Sequence, residues 1–135
     1  HLMLPHSPFF FDSKGNLSPV ELAAGLDRVT KKYYVEYLLY TNKKILKLVD
    51  HILVSSKRPT VIMVLSDHGY RHQPELEQDR KLDFVNLNAI YLPGWNYGRF
   101  YDSISNVNHF RAFFNTCFNQ NLPLLKDSTI DVVDN

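Results

Sequence analysis

The chain has 135 residues, 44% hydrophobic and 21% charged, which is ordinary for a globular protein and enough for one domain with a genuine core. A formal charge of +1 offers no electrostatic footing for nucleic acid or an anionic membrane, and the single Cys117 excludes an internal disulfide framework. No apolar stretch is long enough to span a bilayer.

In chain order, Leu2-Met3-Leu4, stopped by Pro5, predicts the end of a buried strand. The chain opens at His1 within that stretch, which suggests a piece of a longer protein. Pro5 to Leu17 reads as a loop with an aromatic knot at Phe9-Phe10-Phe11. Ser18-Pro19-Val20-Glu21 has the signature of a helix start, with Ser as N-cap, Pro at the first position and Glu three after the cap, so a short helix to about Asp27 follows. Val35, Leu38, Leu39, Asn42, Ile45, Leu46, Val49, Ile52 and Leu53 recur at helical spacing and predict a long helix with that stripe buried. Asn42 is the odd member, an amide expected to find buried partners.

Val61-Ile62-Met63-Val64-Leu65 is unbroken in its apolarity, follows Pro59 and leads into Ser66-Asp67-His68-Gly69. Such a run predicts a strand buried on both faces, as in a parallel sheet. Open α/β sheets bind ligands just beyond the carboxyl ends of their strands, where Asp67 and His68 fall. Together they offer a carboxylate oxygen and an imidazole nitrogen to one divalent cation, a donor mix suited to zinc or manganese. The alternative is that Asp67 opens a turn and His68 is an ordinary loop histidine.

Tyr70 to Asp83 is a polar surface excursion, and Asn86 to Leu92 returns to strand character before Pro93-Gly94. Ser105 caps a last helix with Val107, Phe110, Phe114, Cys117 and Phe118 as its apolar positions, Cys117 being a buried, inert thiol and His109 a surface histidine. Residues 127–135 form a frayed tail. The order of elements implies a parallel or mixed sheet covered by helices. Three strands leave edges exposed, so self-association is expected.

Four segments, His1-Leu-Met-Leu-Pro-His6-Ser-Pro-Phe9, Tyr37-Leu-Leu-Tyr-Thr-Asn42 leading into Leu48-Val-Asp50-His-Ile-Leu53, Ser66-Asp-His-Gly69, and Tyr101-Asp-Ser-Ile-Ser-Asn-Val-Asn-His-Phe-Arg111, occur in one order and spacing. Together they resemble the C-terminal half of a sulfatase-like hydrolase of the alkaline phosphatase superfamily. The nearest branch is the one that includes lipoteichoic acid synthases and phosphoethanolamine transferases. The resemblance implies an α/β fold, part of a three-layer α/β/α sandwich with a mostly parallel sheet, over residues 1–126. It implies Asp67 and His68 as metal ligands and His6 as a residue facing the phosphate or sulfate group, or a second metal in two-metal relatives, at the same sheet edge. It also implies a manganese, zinc or calcium cofactor and a parent protein that is membrane-anchored with an extracytoplasmic catalytic domain. The nucleophile and a further acidic ligand are expected upstream of His1.

The chemistry is consistent with that assignment. Transfer at phosphorus or sulfur builds charge on non-bridging oxygens, which a divalent ion and donor side chains stabilise. Arg71, just after the Asp67-His68-Gly69 segment, offers a forked donor pair to the same anion. Ser66 is a strand-end residue with no general base set beside it in a recognisable pattern. The expected activity is therefore that of a metal-dependent phosphate- or sulfate-ester hydrolase or transferase, without a nucleic-acid partner. The alternative is a non-catalytic α/β interaction module.

Overall fold

Twenty-five residues without a glycine or proline, Lys31–Ser55, form one continuous helix, α1. The computed structural model describes residues 1–19, 31–71 and 79–130, and the chain divides into two units, His1–Arg58 and Pro59–Asn135. The helix predicted from Ser18 lies almost wholly outside the described residues.

In the first unit, α1 is met by the Pro5–Leu17 loop through aromatic rings. Phe9 is buried between Tyr34 and Tyr37, with ring centroids 5.9 Å from each. Phe11 stacks on Tyr40 at 4.8 Å. Each such pair contributes roughly 0.5–1.5 kcal/mol beyond area burial, so these rings help to hold the loop on the helix. The loop tip is an Asx turn: Asp12 Oδ1 accepts the amides of Lys14 at 2.9 Å and Asn16 at 2.8 Å. Those bonds hold the Asp12 carboxyl below its ordinary range, the side chain of Asn16 foremost. Gly15 completes the turn at φ 90°, a conformation that glycine adopts without strain. Ser13 N–H donates to Glu36 and Lys43 donates to Ser13 O, which ties the tip to α1.

The covered stripe of α1 is turned from the predicted one. It runs through Tyr34, Tyr37, Leu38, Thr41, Ile45, Val49 and Ile52, while Val35, Leu39, Asn42, Leu46 and Leu53 are exposed. Asn42 is therefore no buried amide. The polar group inside is Thr41, whose hydroxyl donates to Tyr37 O one turn back at 2.8 Å and so needs no outside partner.

In the second unit, Ile62–Leu65 forms β1 and Asn88–Tyr91 forms β2. They pair antiparallel, in the register Ile62 with Tyr91 and Leu65 with Asn88. This overturns the expected α/β sandwich with a mostly parallel sheet: the described residues hold one two-stranded antiparallel sheet. Leu2-Met3-Leu4 forms no strand, and Leu2 and Met3 are exposed. The apolar run at β1 is only half-buried. Periodicity alone cannot separate these cases, since a continuous apolar run suits a central parallel strand and a short antiparallel one equally.

What decides the direction is how the chain returns. A 3₁₀ helix, Asp79–Phe84, brings it back alongside the segment it left. Gly69 N–H donates to Asp83 O at 2.7 Å, Tyr70 N–H to Leu82 O at 3.0 Å, and Ser66 N–H to Leu87 O at 3.0 Å. A Cβ at Gly69 would lie 1.8 Å from Leu82 O, so only glycine permits this approach.

The last helix, α2 (Asn106–Cys117), has Ser105 in the N-cap conformation, as the sequence predicts. Its burial is the reverse of expectation. Asn108, His109, Ala112 and Asn115 face inward, while Val107 is 58% and Phe110 52% exposed. The inward amides have a physical reason, because residues 122–127 lie along them. Asn115 exchanges two hydrogen bonds with the Leu122 main chain, at 2.8 and 2.7 Å. Asn108 does the same with Leu125, at 2.8 and 2.9 Å.

Candidate metal centre

Asp67 and His68 leave β1 on a turn fastened from both sides. Leu87 N–H donates to Ser66 Oγ at 2.7 Å, Asn86 Nδ2 to Asp67 O at 3.3 Å, and Asn106 Nδ2, from the first turn of α2, to Ser66 O at 3.0 Å. Ser66 thus spends its hydroxyl oxygen on the return segment, a structural commitment. The main chain under the pair is held rigidly while its side chains are not enclosed.

The Asp67 side chain is 83% exposed and that of His68 31% exposed, and Asp67 Oδ2 lies 3.8 Å from His68 Nε2. His68 Nδ1 lies 2.6 Å from Gly69 O. A carbonyl can only accept, so Nδ1 is the donor in this contact, which leaves Nε2 as the ring nitrogen that faces the carboxylate and the one available to a metal ion. Histidines that bind metals are usually oriented in this way, by donation from the other ring nitrogen. Two ligands about 2.1 Å from one ion in tetrahedral geometry stand about 3.4 Å apart. The observed 3.8 Å is near that spacing, and an exposed carboxylate can rotate to close it.

The pair fits a divalent ion as two of its ligands. One carboxylate and one imidazole suit zinc or manganese better than calcium, which prefers oxygen throughout. Among the described residues no third His, Cys, Asp or Glu joins them.

His6 belongs to the first unit. It is exposed, and its Nδ1 donates to the carbonyl of Ser7, the same local arrangement that His68 makes with Gly69. Residues 2–4 form no strand, so His6 does not follow a strand end, contrary to expectation. Arg71 is exposed, three residues beyond His68. His1 and His51 are exposed, and His72 lies outside the described residues.

One polar cluster escaped the sequence reading. His109, expected on the surface, is 1% exposed, and neither ring nitrogen has a hydrogen-bond partner among the described residues. Burial lowers its pKa, opposed by the charge of Asp127. Asp127 accepts from Ser105 N–H at 2.8 Å, from Asn108 Nδ2 at 3.0 Å and from the Tyr101 hydroxyl. Its pKa falls far below the carboxylate range, through Ser105 first and Tyr101 next. Asp127 therefore ties Tyr101 and Ser105, which precede α2, to Asn108 in its first turn, where Ser105 makes no side-chain cap. The available signal was the seven-residue spacing of Asn108 and Asn115, two amides on one helical face.

No family model, curated protein or solved structure matches this chain.

Proposed function

We propose that the chain supplies part of the metal and substrate site of a hydrolase or transferase acting on a phosphate or sulfate ester. The observation that carries this reading is the paired presentation of Asp67 Oδ2 and His68 Nε2, 3.8 Å apart, on a backbone fixed by Gly69 and Asn106. The resemblance of the Ser66–Gly69 segment and its three companion segments to sulfatase-like hydrolases supports it further. Asp67 and His68 would hold the ion, which when bound supplies positive charge to the non-bridging oxygens of the ester. Arg71, exposed on the same segment, would add donors to the anion. No nucleophile is assigned to the residues in hand.

The test is ester turnover by the longest natural form of the protein, with 4-nitrophenyl phosphate and sulfate and added manganese or zinc. Hydrolysis that is lost in Asp67→Ala and in His68→Ala is expected. Hydrolysis that survives both substitutions would remove the pair from the site.

A second reading, a non-catalytic interaction module, is favoured by the outward face of α2. Val107, Phe110, Phe114 and Phe118 are exposed there at helical spacing. Absence of metal-dependent turnover, with partner capture abolished by Phe110→Ser and Phe114→Ser, would select it.

A further inference from the structure

Residues 122–125 are held on α2 by five hydrogen bonds from Asn108, Arg111 and Asn115, and every one of them is made to main-chain atoms. Asn115 takes the N–H and C=O of Leu122, Arg111 the C=O of Pro123, and Asn108 the N–H and C=O of Leu125. The spacing is matched. Seven helical residues rise about 10.5 Å, and three extended residues span about 10 Å. The Leu122 and Leu125 side chains are part-exposed and pair with no strand. This face of α2 therefore grips an extended chain by its backbone.

We propose that this amide ladder is a peptide-binding surface, occupied within the chain by its own residues 122–127, which the same segment of a second copy can replace to give a tail-exchanged dimer. A swapped segment remakes the contacts it leaves, so no new interface has to be invented and the hinge decides the outcome. The hinge is Asn119. It stands at φ 50°, in the left-handed region, where the chain turns back and Gln120 N–H reaches Phe114 O at 3.3 Å. Asn tolerates that conformation better than other non-glycine residues, but proline cannot adopt it. Asp127 supplies a side-chain lock for the segment, to Ser105, Tyr101 and Asn108, and would make the same bonds in the partner.

The experiment uses the full chain carrying Asn119→Pro, with deletion of Asn119 and Gln120 as a second variant should the first fail to fold. Sedimentation velocity is expected to show a concentration-dependent dimer, its fraction raised about tenfold or more over wild type. In that dimer the Leu122 and Leu125 amides should exchange hydrogen as slowly as in the wild-type monomer. Adding Asn115→Leu should abolish the dimer and speed both amides. A hinge variant that stays monomeric with both amides protected would overturn the proposal. So would a dimer that persists in the presence of Asn115→Leu, since that dimer is built on another surface.

Discussion

Asn108 and Asn115 stand seven residues apart on one face of α2, and each side-chain amide closes a two-bond ring with the main chain of the segment lying across it, at Leu125 and at Leu122. Two polar residues thereby do at the second unit's core what leucines do on most helices. The bonds are directional, so they fix the register of residues 122–125 as well as their attachment.

Replacing either amide should weaken the unit measurably. Asn115→Leu removes two hydrogen bonds and Asn108→Leu removes the corresponding two with Leu125, each worth about 0.5–1.5 kcal/mol net, together with the bond to Asp127. The expected loss is about 1–3 kcal/mol per substitution, larger at Asn108, which also holds Asp127. Urea denaturation should record it as a lower midpoint with an unchanged slope.

Gly69→Ala should be among the most harmful single-methyl additions in the chain. The new Cβ would meet the backbone carbonyl of Leu82 at 1.8 Å, and that of Val85 at 2.9 Å. Neither carbonyl can rotate aside as a side chain would, so the return segment must move. A cost of about 2 kcal/mol or more is expected from such overpacking, together with a displaced Asp67-His68 turn. Thermal melting of the variant and the amide shifts of Ser66 to Tyr70 would check both effects.

The burial of His109 predicts a pH dependence with a definite sign. Its pKa in the folded chain lies below the unfolded value of about 6.5. The unfolded chain therefore binds the proton first, and stability rises with pH through that interval. Full stability is expected above about pH 7, with a decline as pH falls below about 6.5 toward the depressed folded value. Asp127 moderates the decline, because its charge favours the imidazolium. Asp127 is itself held down by its donors, so its own contribution is present above about pH 4 and is lost only at more acid pH. His109→Leu should flatten the profile between pH 5 and 7 (roughly the histidine range) while leaving the acid limb intact. A urea midpoint series across pH would show whether the upper limb disappears.

Metal binding by these 135 residues should be weak and local. Two ligands are about half of a tetrahedral shell. Titration with manganese should broaden the amide resonances of Asp67, His68 and Gly69 first, and Asp67→Asn should reduce the affinity by about tenfold or more. No hydrolysis of 4-nitrophenyl phosphate or sulfate by this chain is expected. Broadening confined to residues 66–71 assigns the ion to the pair; broadening that spares Asp67 and His68 removes them as ligands.

The sequence by itself determined the local elements whose cause is local. A long stretch without Gly or Pro made α1, the Val61–Leu65 run made β1, and Ser105 set the start of α2. It also placed Asp67 and His68 side by side at the end of a strand, since adjacency is covalent. What faces what was decided by tertiary structure. The apolar content of β1 is the same whether its neighbour runs parallel or antiparallel, and the return through Leu82, Asp83 and Leu87 chose antiparallel. On α2 a hydrophobic stripe predicted the buried face, yet Asn108, His109 and Asn115 turned inward. The amides of Asn108 and Asn115 found main-chain partners in a segment that carries no periodic signal of its own. Periodicity records which side chains avoid water, and a hydrogen bond to a distant backbone satisfies a buried amide without leaving any trace in that pattern.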